Sequence, residues 1–133
     1  MSLLQITRDN FTQLTAPGSP PLLVEFSAPW CTYCRRLAPT MDQLASQSGP
    51  GLAVGQVDID QEPQLARQFS VEVVPTLLLF QGGVPGEALV APTSKAQIDA
   101  FLAGQMEKTR SSVQKLIEEG NIRVNGSPAG KNT

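Results

Sequence analysis

The residues with the clearest capacity for chemistry are Cys31 and Cys34, the only two cysteines among 133 residues. Two cysteines three positions apart can lie one helical turn from each other, close enough to form a strained disulfide that is easily reduced. Trp30 precedes the first cysteine, and Thr32 and Tyr33 separate the two. This spacing predicts a redox-active pair.

The pair lies where a predicted strand ends and a predicted helix begins. Residues 22–27 form a short apolar run with β-branched and aromatic members, which predicts a buried strand. Farther along, Leu37, Met41 and Leu44 recur at helical spacing. Because the first N–H groups of a helix are unpaired and carry the positive end of its dipole, a thiolate is favoured over a thiol there. Cys31 therefore occupies the setting of a redox nucleophile.

A structural disulfide and half of a zinc site are the two alternative roles for the cysteine pair. A structural zinc ion needs about four ligands, and the chain has no histidine and no other cysteine. Two cysteines in a reducing compartment are also more often catalytic or metal-binding than structural. The sequence thus favours redox catalysis and predicts neither a metal nor a bound organic cofactor.

Length and composition indicate one domain with its own core and a short appendage. The net charge of −2 gives no overall reason to expect nucleic acid or an anionic membrane as a partner. No apolar run of about 18 residues is present, and the N-terminus lacks the pattern of a signal peptide. We therefore predict a cytoplasmic protein that does not enter a membrane.

The periodicity of apolar residues predicts alternating strands and helices, followed by two strands and a last helix. Such an order is typical of an α/β fold, a mixed sheet with helices on both faces. The predicted strands are 4–6, 22–27, 52–59, 73–80 and 86–90, and the predicted helices are 9–14, 31–47, 61–69 and 94–102.

Several separate stretches of residues 1–106 resemble the thioredoxin family. The similar stretches are residues 24–34 around the cysteines, Pro39, residues 57–63, residues 74–80 and residues 94–102. The resemblance implies the thioredoxin fold, a central mixed β-sheet flanked by helices. It also implies a thioredoxin-like domain over residues 1–106 and a short helical and irregular C-terminal extension over residues 107–133.

The resemblance implies roles for three residues in thiol–disulfide exchange. Cys31 is expected to attack a substrate disulfide and form a mixed disulfide, and Cys34 to resolve it. Glu25 matches the buried acid that exchanges a proton with the resolving cysteine, although thioredoxins usually have aspartate there. A buried carboxyl group should have a raised pKa, the more so because Gln56 stands where a lysine often partners the acid.

The same resemblance implies that a group of residues contacts the substrate. Trp30 is expected to form a flat apolar rim, and Thr32 and Tyr33 to lie beside it. Val74 and Pro75 are expected to form a cis peptide against the cysteines, where the strand edge binds an extended substrate segment. The implied partners are protein substrates that contain disulfides and an external reductase such as a thioredoxin reductase.

Two further interpretations concern the direction of electron flow and the tail. Ordinary thioredoxins have Gly-Pro in place of Thr32-Tyr33, so their reduction potential cannot be assigned to this chain. The alternative function is therefore a thiol oxidase or disulfide isomerase of raised potential.

Residues 109–126 resemble half of the small RNA-binding domain of pseudouridine synthases, with a helix ending at Gly120 and a strand entering an Asn125-Gly126 turn. Residues 107–133 carry a net charge of +2, so RNA contact through the tail is a third hypothesis.

Overall fold

A mixed five-stranded sheet forms the centre of the computed structural model, with the strand order β1-β3-β2-β4-β5. The strands are β1 (Leu4–Gln5), β2 (Leu22–Ser27), β3 (Ala53–Asp58), β4 (Thr76–Gln81) and β5 (Val84–Val90). The first three strands in that order are parallel, whereas β4 runs antiparallel to both β2 and β5. The structure describes residues 3–118, 123–124 and 127–128, and side chains for residues 3–109.

Four helices connect and flank these strands, which confirms the predicted α/β fold. They are α1 (Arg8–Leu14), α2 (Thr32–Gln47), α3 (Pro63–Gln68) and α4 (Lys95–Glu118). Pro39 lies inside α2, as the sequence indicates. Separate helices were predicted before and after residue 106, but α4 is one continuous helix. The reason is that residues 103–108 contain no proline, and the single Gly104 costs a helix only about 1 kcal/mol.

Strand β2 is buried along its whole length, so the side chains on both of its faces point into the interior. Leu22, Val24 and Phe26 belong to one apolar cluster, together with Leu65 of α3 and partly buried side chains of α1. Because successive side chains of a strand point to opposite faces, Glu25 and Ser27 point to the other face. The chemistry-bearing residues of β2 therefore lie on the face opposite this apolar cluster.

Two strand boundaries differ from the predicted ones, and a proline lies close to each. Strand β4 begins at Thr76 rather than Val73, because Pro75 has no N–H to donate to a neighbouring strand. Strand β5 begins at Val84, before the predicted start, and includes Pro85. Proline is tolerated there because β5 is the edge strand of the sheet.

By its contacts the chain divides into two compact units, residues 1–99 and 100–133. In the second unit, β6 (Arg123–Val124) pairs antiparallel with β7 (Ser127–Pro128). The predicted helix end at Gly120 and the Asn125-Gly126 turn lie outside the described residues. The domain boundary after residue 106 stays a prediction.

Candidate active site

The connection from β2 to α2 places both cysteines at the start of a helix. Cys31 is the N-cap residue of α2, and its N–H donates to the Ala28 carbonyl at 3.1 Å. The Cys34 N–H donates to the Cys31 sulfur at 3.1 Å, so this sulfur accepts a hydrogen bond that stabilises negative charge. Both cysteines are free thiols, and both are buried. The structure thus brings the predicted pair together within one helical turn.

The peptide bond between Val74 and Pro75 is cis and lies against the cysteines, as predicted. The Val74 carbonyl oxygen is 3.6 Å from the Cys31 sulfur, which places it as the acceptor of the thiol proton. The Val74 side chain also packs against the small cluster of Ala28, Cys31 and Cys34. The chain just before β4 therefore forms one wall beside the first sulfur.

The aromatic side chains on either side of Cys31 are open to solvent. Trp30 is 63% exposed and Tyr33 is 60% exposed, which is unusual for large apolar groups. The Trp30 indole N–H donates to Asp60 Oδ1 at 3.3 Å, and the Arg36 guanidinium lies 5.9 Å from the centre of the Tyr33 ring. These contacts hold two flat apolar surfaces next to the buried sulfur.

Arg35 has a structural contact that the sequence did not indicate. Its guanidinium donates to the Pro29 carbonyl at 2.8 Å and to the exposed Thr32 hydroxyl at 3.4 Å. These bonds join the residues before Cys31 to the first turn of α2. Only the folded connection shows which carbonyl the side chain reaches.

Glu25 is completely buried, and its two carboxyl oxygens differ in their surroundings. Oε1 accepts a hydrogen bond from the Gln56 amide at 3.2 Å, whereas Oε2 has no partner among the described residues. Burial raises the pKa of Glu25 to about 7, nearby Asp42 adds to the rise, and the Gln56 hydrogen bond opposes it. The predicted upward direction is confirmed.

Cys34 is even less prone to ionise than a free thiol. Burial raises its pKa to about 11, and the hydrogen bond and charge of Cys31 contribute in the same direction. Hydrogen bonds from the Ser27 hydroxyl and the Ala28 backbone oppose the rise. At neutral pH the Cys34 sulfur therefore carries a proton that must be removed before it can attack.

A polar cavity of about 320 Å³ lies between the sheet and α2 and reaches Cys34. The strand register explains its lining, because Glu25 is paired with Gln56 and Ser27 with Asp58 across β2 and β3. The lining residues are Gln5, Ser27, Ala28, Pro29, Cys34, Arg35, Ala38, Gln56, Asp58 and Gln61. Sequence reasoning did not identify Ser27 and Asp58 as residues that line this cavity. The available signal for Ser27 was its position two residues after Glu25, which places both side chains on the same face of the strand.

Two kinds of feature are absent from the part of the chain that the structure describes. No group of three or more histidine, cysteine, aspartate or glutamate residues there could hold a metal ion. Within the same residues, no helix is both long and apolar enough to cross a membrane.

Comparison with known proteins identifies the family. The thioredoxin family model matches residues 2–104. The chain belongs to the thioredoxin family. A thioredoxin from Acidithiobacillus ferridurans is 35% identical over 105 residues, which cover 79% of this chain and 97% of that relative. A thioredoxin from Alicyclobacillus acidocaldarius subsp. acidocaldarius is 35% identical over 104 residues, which cover 78% of this chain and 98% of that relative.

Two further matches concern a bifunctional relative and the tail of this chain. A bifunctional thioredoxin reductase/thioredoxin from Mycobacterium leprae (strain TN) is 36% identical over 95 residues. That match covers 71% of this chain but only 21% of the length of the relative. The S4 domain model matches residues 98–132, a longer stretch than the one from which the tail resemblance was predicted.

Family membership and the Cys31/Cys34 pair together define the activity class. The chain is a thiol–disulfide oxidoreductase that reduces protein disulfides through a dithiol. The predicted function and enzyme class are therefore confirmed.

Proposed function

We propose that Cys31 is the attacking sulfur and Cys34 the resolving sulfur of this disulfide reductase. The observation that carries the proposal is the 3.1 Å hydrogen bond from the Cys34 N–H to the Cys31 sulfur. It stabilises charge on Cys31, whereas burial and the neighbouring sulfur raise the pKa of Cys34 to about 11. The two thiols thus differ in the way that a sequential attack requires.

The chemical steps follow from this difference. The Cys31 thiolate attacks one sulfur of a substrate disulfide, forms a Cys31–substrate disulfide and releases the other substrate sulfur as a thiolate, which is then protonated. Cys34 next loses its proton and attacks the Cys31 sulfur, so that a Cys31–Cys34 disulfide forms and the second substrate thiolate leaves. The substrate gains two electrons and two protons, and the protein dithiol is oxidised.

Glu25 is proposed as the group that accepts the Cys34 proton. A general base works best when its pKa lies near the working pH, and burial gives Glu25 a pKa of about 7. Gln56 touches Glu25 and also lines the cavity that Cys34 lines. The cavity is polar and large enough to admit water, so a proton can pass between the thiol and the carboxylate.

The substrate is proposed to bind in an extended form across the exposed Trp30 and Tyr33, next to Thr32 and the Val74–Pro75 peptide. Two large apolar surfaces that stay exposed beside a buried nucleophile support this placement.

An external reductase such as a thioredoxin reductase is the proposed electron donor, and the name of the Mycobacterium leprae relative joins those two activities in that protein. We place the protein in the cytoplasm as a general carrier of reducing equivalents, because cysteine pairs in that reducing compartment are usually catalytic rather than structural.

Insulin reduction with a chemical reductant tests the proposal. Wild type is expected to accelerate precipitation of the insulin B chain, and Cys31→Ser and Cys34→Ser are expected to reduce the rate to that of the reductant alone. Gln43→Ser, on the exposed surface of the same helix, is the matched control that leaves both sulfurs and the proposed substrate surface unchanged. Full activity of Cys31→Ser would contradict the proposal.

The reduction potential of the Cys31–Cys34 pair distinguishes a reductase from an oxidant or isomerase. A reductase is expected to have a reduction potential of about −270 mV. An oxidant or isomerase is expected to have a potential between about −180 and −120 mV. Equilibration of the pair with glutathione buffers gives the potential directly. A value above about −180 mV would favour the alternative function.

A second function is proposed for the tail, contact with RNA. The match of the S4 domain model to residues 98–132 and the net charge of +2 over residues 107–133 support it. Full-length protein is expected to bind structured RNA with a salt-dependent affinity, and a chain cut after Met106 is expected to lose it while still reducing insulin. Absence of binding by the full chain at low salt would remove this function and leave the reductase intact.

A further inference from the structure

Two consecutive arginines follow Cys34 and differ in sign from the net charge of the residues around them. Residues 1–106 contain five basic and nine acidic side chains, a net charge of −4, and Arg35 and Arg36 are two of the five basic ones. Both are exposed near the start of α2. The active site therefore has a local positive charge on a domain whose net charge repels anions.

Arg36 has no carboxylate partner within its own helix. Side chains on a helix surface meet when they are three or four positions apart. The residues at those positions are Thr32, Tyr33, Pro39 and Thr40. The ion pairs of the described residues do not include Arg36 either. The positive charge of this side chain is thus not neutralised by another side chain in that part of the molecule.

The two arginines differ in how their guanidinium groups are used. The Arg35 guanidinium donates to the Pro29 carbonyl at 2.8 Å and to the Thr32 hydroxyl at 3.4 Å. The Arg36 guanidinium makes no hydrogen bond to a described residue. An arginine side chain has five N–H donors in a planar fork that matches the two oxygens of a carboxylate. Arg36 can therefore bind a carboxylate without breaking a hydrogen bond of the folded chain.

The aromatic side chain of Tyr33 holds this guanidinium next to the nucleophile. The Arg36 guanidinium carbon lies 5.9 Å from the centre of the Tyr33 ring, a distance at which a cation and an aromatic ring attract each other. Trp30, in contrast, donates its indole N–H to the carboxylate of Asp60 at 3.3 Å. An anionic group beside Cys31 is consequently attracted on the Tyr33 side and repelled on the Trp30 side.

We propose that Arg36 is a specificity-determining residue, which binds a carboxylate close to the disulfide of a protein substrate that lies on Tyr33. The inference rests on the proposed attack by Cys31 and on the proposed substrate surface. Preferred substrates then have aspartate or glutamate beside the disulfide cysteine. The reaction itself is unchanged: Cys31 displaces one substrate thiolate and Cys34 the other, so the substrate gains two electrons and two protons while the protein dithiol becomes a disulfide.

Two matched peptide disulfides provide the probe. Each is a dimer, with blocked ends, of Gly-Glu-Cys-Glu-Gly or of Gly-Gln-Cys-Gln-Gly, so the two differ in charge and have nearly the same size. Acidic residues on both sides of the cysteine make the test independent of the direction in which the peptide binds. The reduced full-length protein is mixed with each dimer at pH 7 and low ionic strength, and acid quenching followed by chromatography gives the rate constant for release of the peptide thiol.

The ratio of the two rate constants, glutamate dimer over glutamine dimer, measures the preference. Arg36→Gln is expected to lower this ratio about three- to fivefold, the range of an exposed ion pair with good geometry. Comparison of ratios cancels any change in the reactivity of Cys31 and any intrinsic difference between the peptides. In about 0.5 M salt the ratios of wild type and Arg36→Gln should converge, because salt screens exposed charges.

Arg67→Gln is the control variant, because it removes the same charge from an exposed position on α3. Its ratio should stay within about 1.5-fold of wild type. A ratio for Arg36→Gln that falls less than about twofold, or an equal fall in Arg67→Gln, would overturn the inference while the glutamine dimer is still reduced. Reduction of the glutamine dimer by Cys31→Ser would instead contradict the proposed attack by Cys31.

Discussion

Replacement of Glu25 by glutamine should make the reduced protein more stable at high pH and leave its stability at low pH little changed. The side chain is completely buried, and burial raises its pKa from 4.5 to about 7. Below pH 4.5 the carboxyl group is protonated in both the folded and the unfolded chain, so it adds no pH dependence. As the pH rises from 4.5 to 7, only the unfolded chain releases the proton, and unfolding becomes more favourable.

The size of the effect follows from the two pKa values. Each pH unit between them lowers the free energy of unfolding by about 1.4 kcal/mol, so the total loss is about 3 kcal/mol. Glutamine has no proton to release, keeps the shape of the side chain and can still accept the Gln56 hydrogen bond through its carbonyl oxygen. The variant should therefore avoid this loss.

Urea unfolding of the reduced protein at pH 4.5, 6, 7 and 8.5 measures the effect. The stability of Glu25→Gln relative to wild type is expected to rise by about 3 kcal/mol across this range and to level off above pH 7. Glu72→Gln, which removes an exposed carboxyl group, is the control. A difference between Glu25→Gln and wild type that stays constant within about 1 kcal/mol would refute the reasoning.

Three other predictions follow from backbone conformation, close packing and proton transfer. Ser70 has φ of +58° at the end of α3, so Ser70→Gly should raise the free energy of unfolding by up to about 1 kcal/mol in the same urea assay, and a loss would contradict this. A Cβ on Gly55 would lie 2.4 Å from Ile6 Cδ1, so Gly55→Ala should cost about 1–3 kcal/mol. Adding Ile6→Ala should remove part of that extra cost in a double-mutant cycle, whereas strict additivity would contradict the clash. In the insulin assay, Glu25→Gln should lose the rise in rate between pH 6 and 8 and be about tenfold slower at pH 8, and an unchanged profile would exclude Glu25 as the base.

Much of the fold could be predicted from the sequence because its strands and helices have strong local signals. The uninterrupted apolar run of β2 and the helical spacing of Leu37, Met41 and Leu44 identify the two elements that hold the cysteines. The continuity of α4 through residue 106 and the start of β4 were harder to predict. Local sequence around Gly104 permits either one helix or two, and the start of β4 depends on pairing with β2 and β5.

Local sequence alone predicted the candidate site only where its residues lie close together, and the Val74–Pro75 peptide was predicted from the family resemblance. The Cys31/Cys34 pair follows from spacing, and the burial of Glu25 from the apolar run around it. The cavity and the Arg35 bond to the Pro29 carbonyl depend on how β3 and α2 pack against β2. These contacts join residues that are distant in sequence or on different elements, and periodicity contains no information about them.

Trapping of the mixed disulfide tests the central claim most directly. Cys34→Ser and Cys31→Ser are each mixed with a disulfide-containing protein at neutral pH, and intact mass with peptide mapping identifies the sulfur that becomes linked. The account predicts that Cys34→Ser accumulates a covalent adduct through Cys31 and that Cys31→Ser accumulates none. An adduct that forms readily through Cys34 in the Cys31→Ser variant would contradict the order of attack on which the mechanism depends.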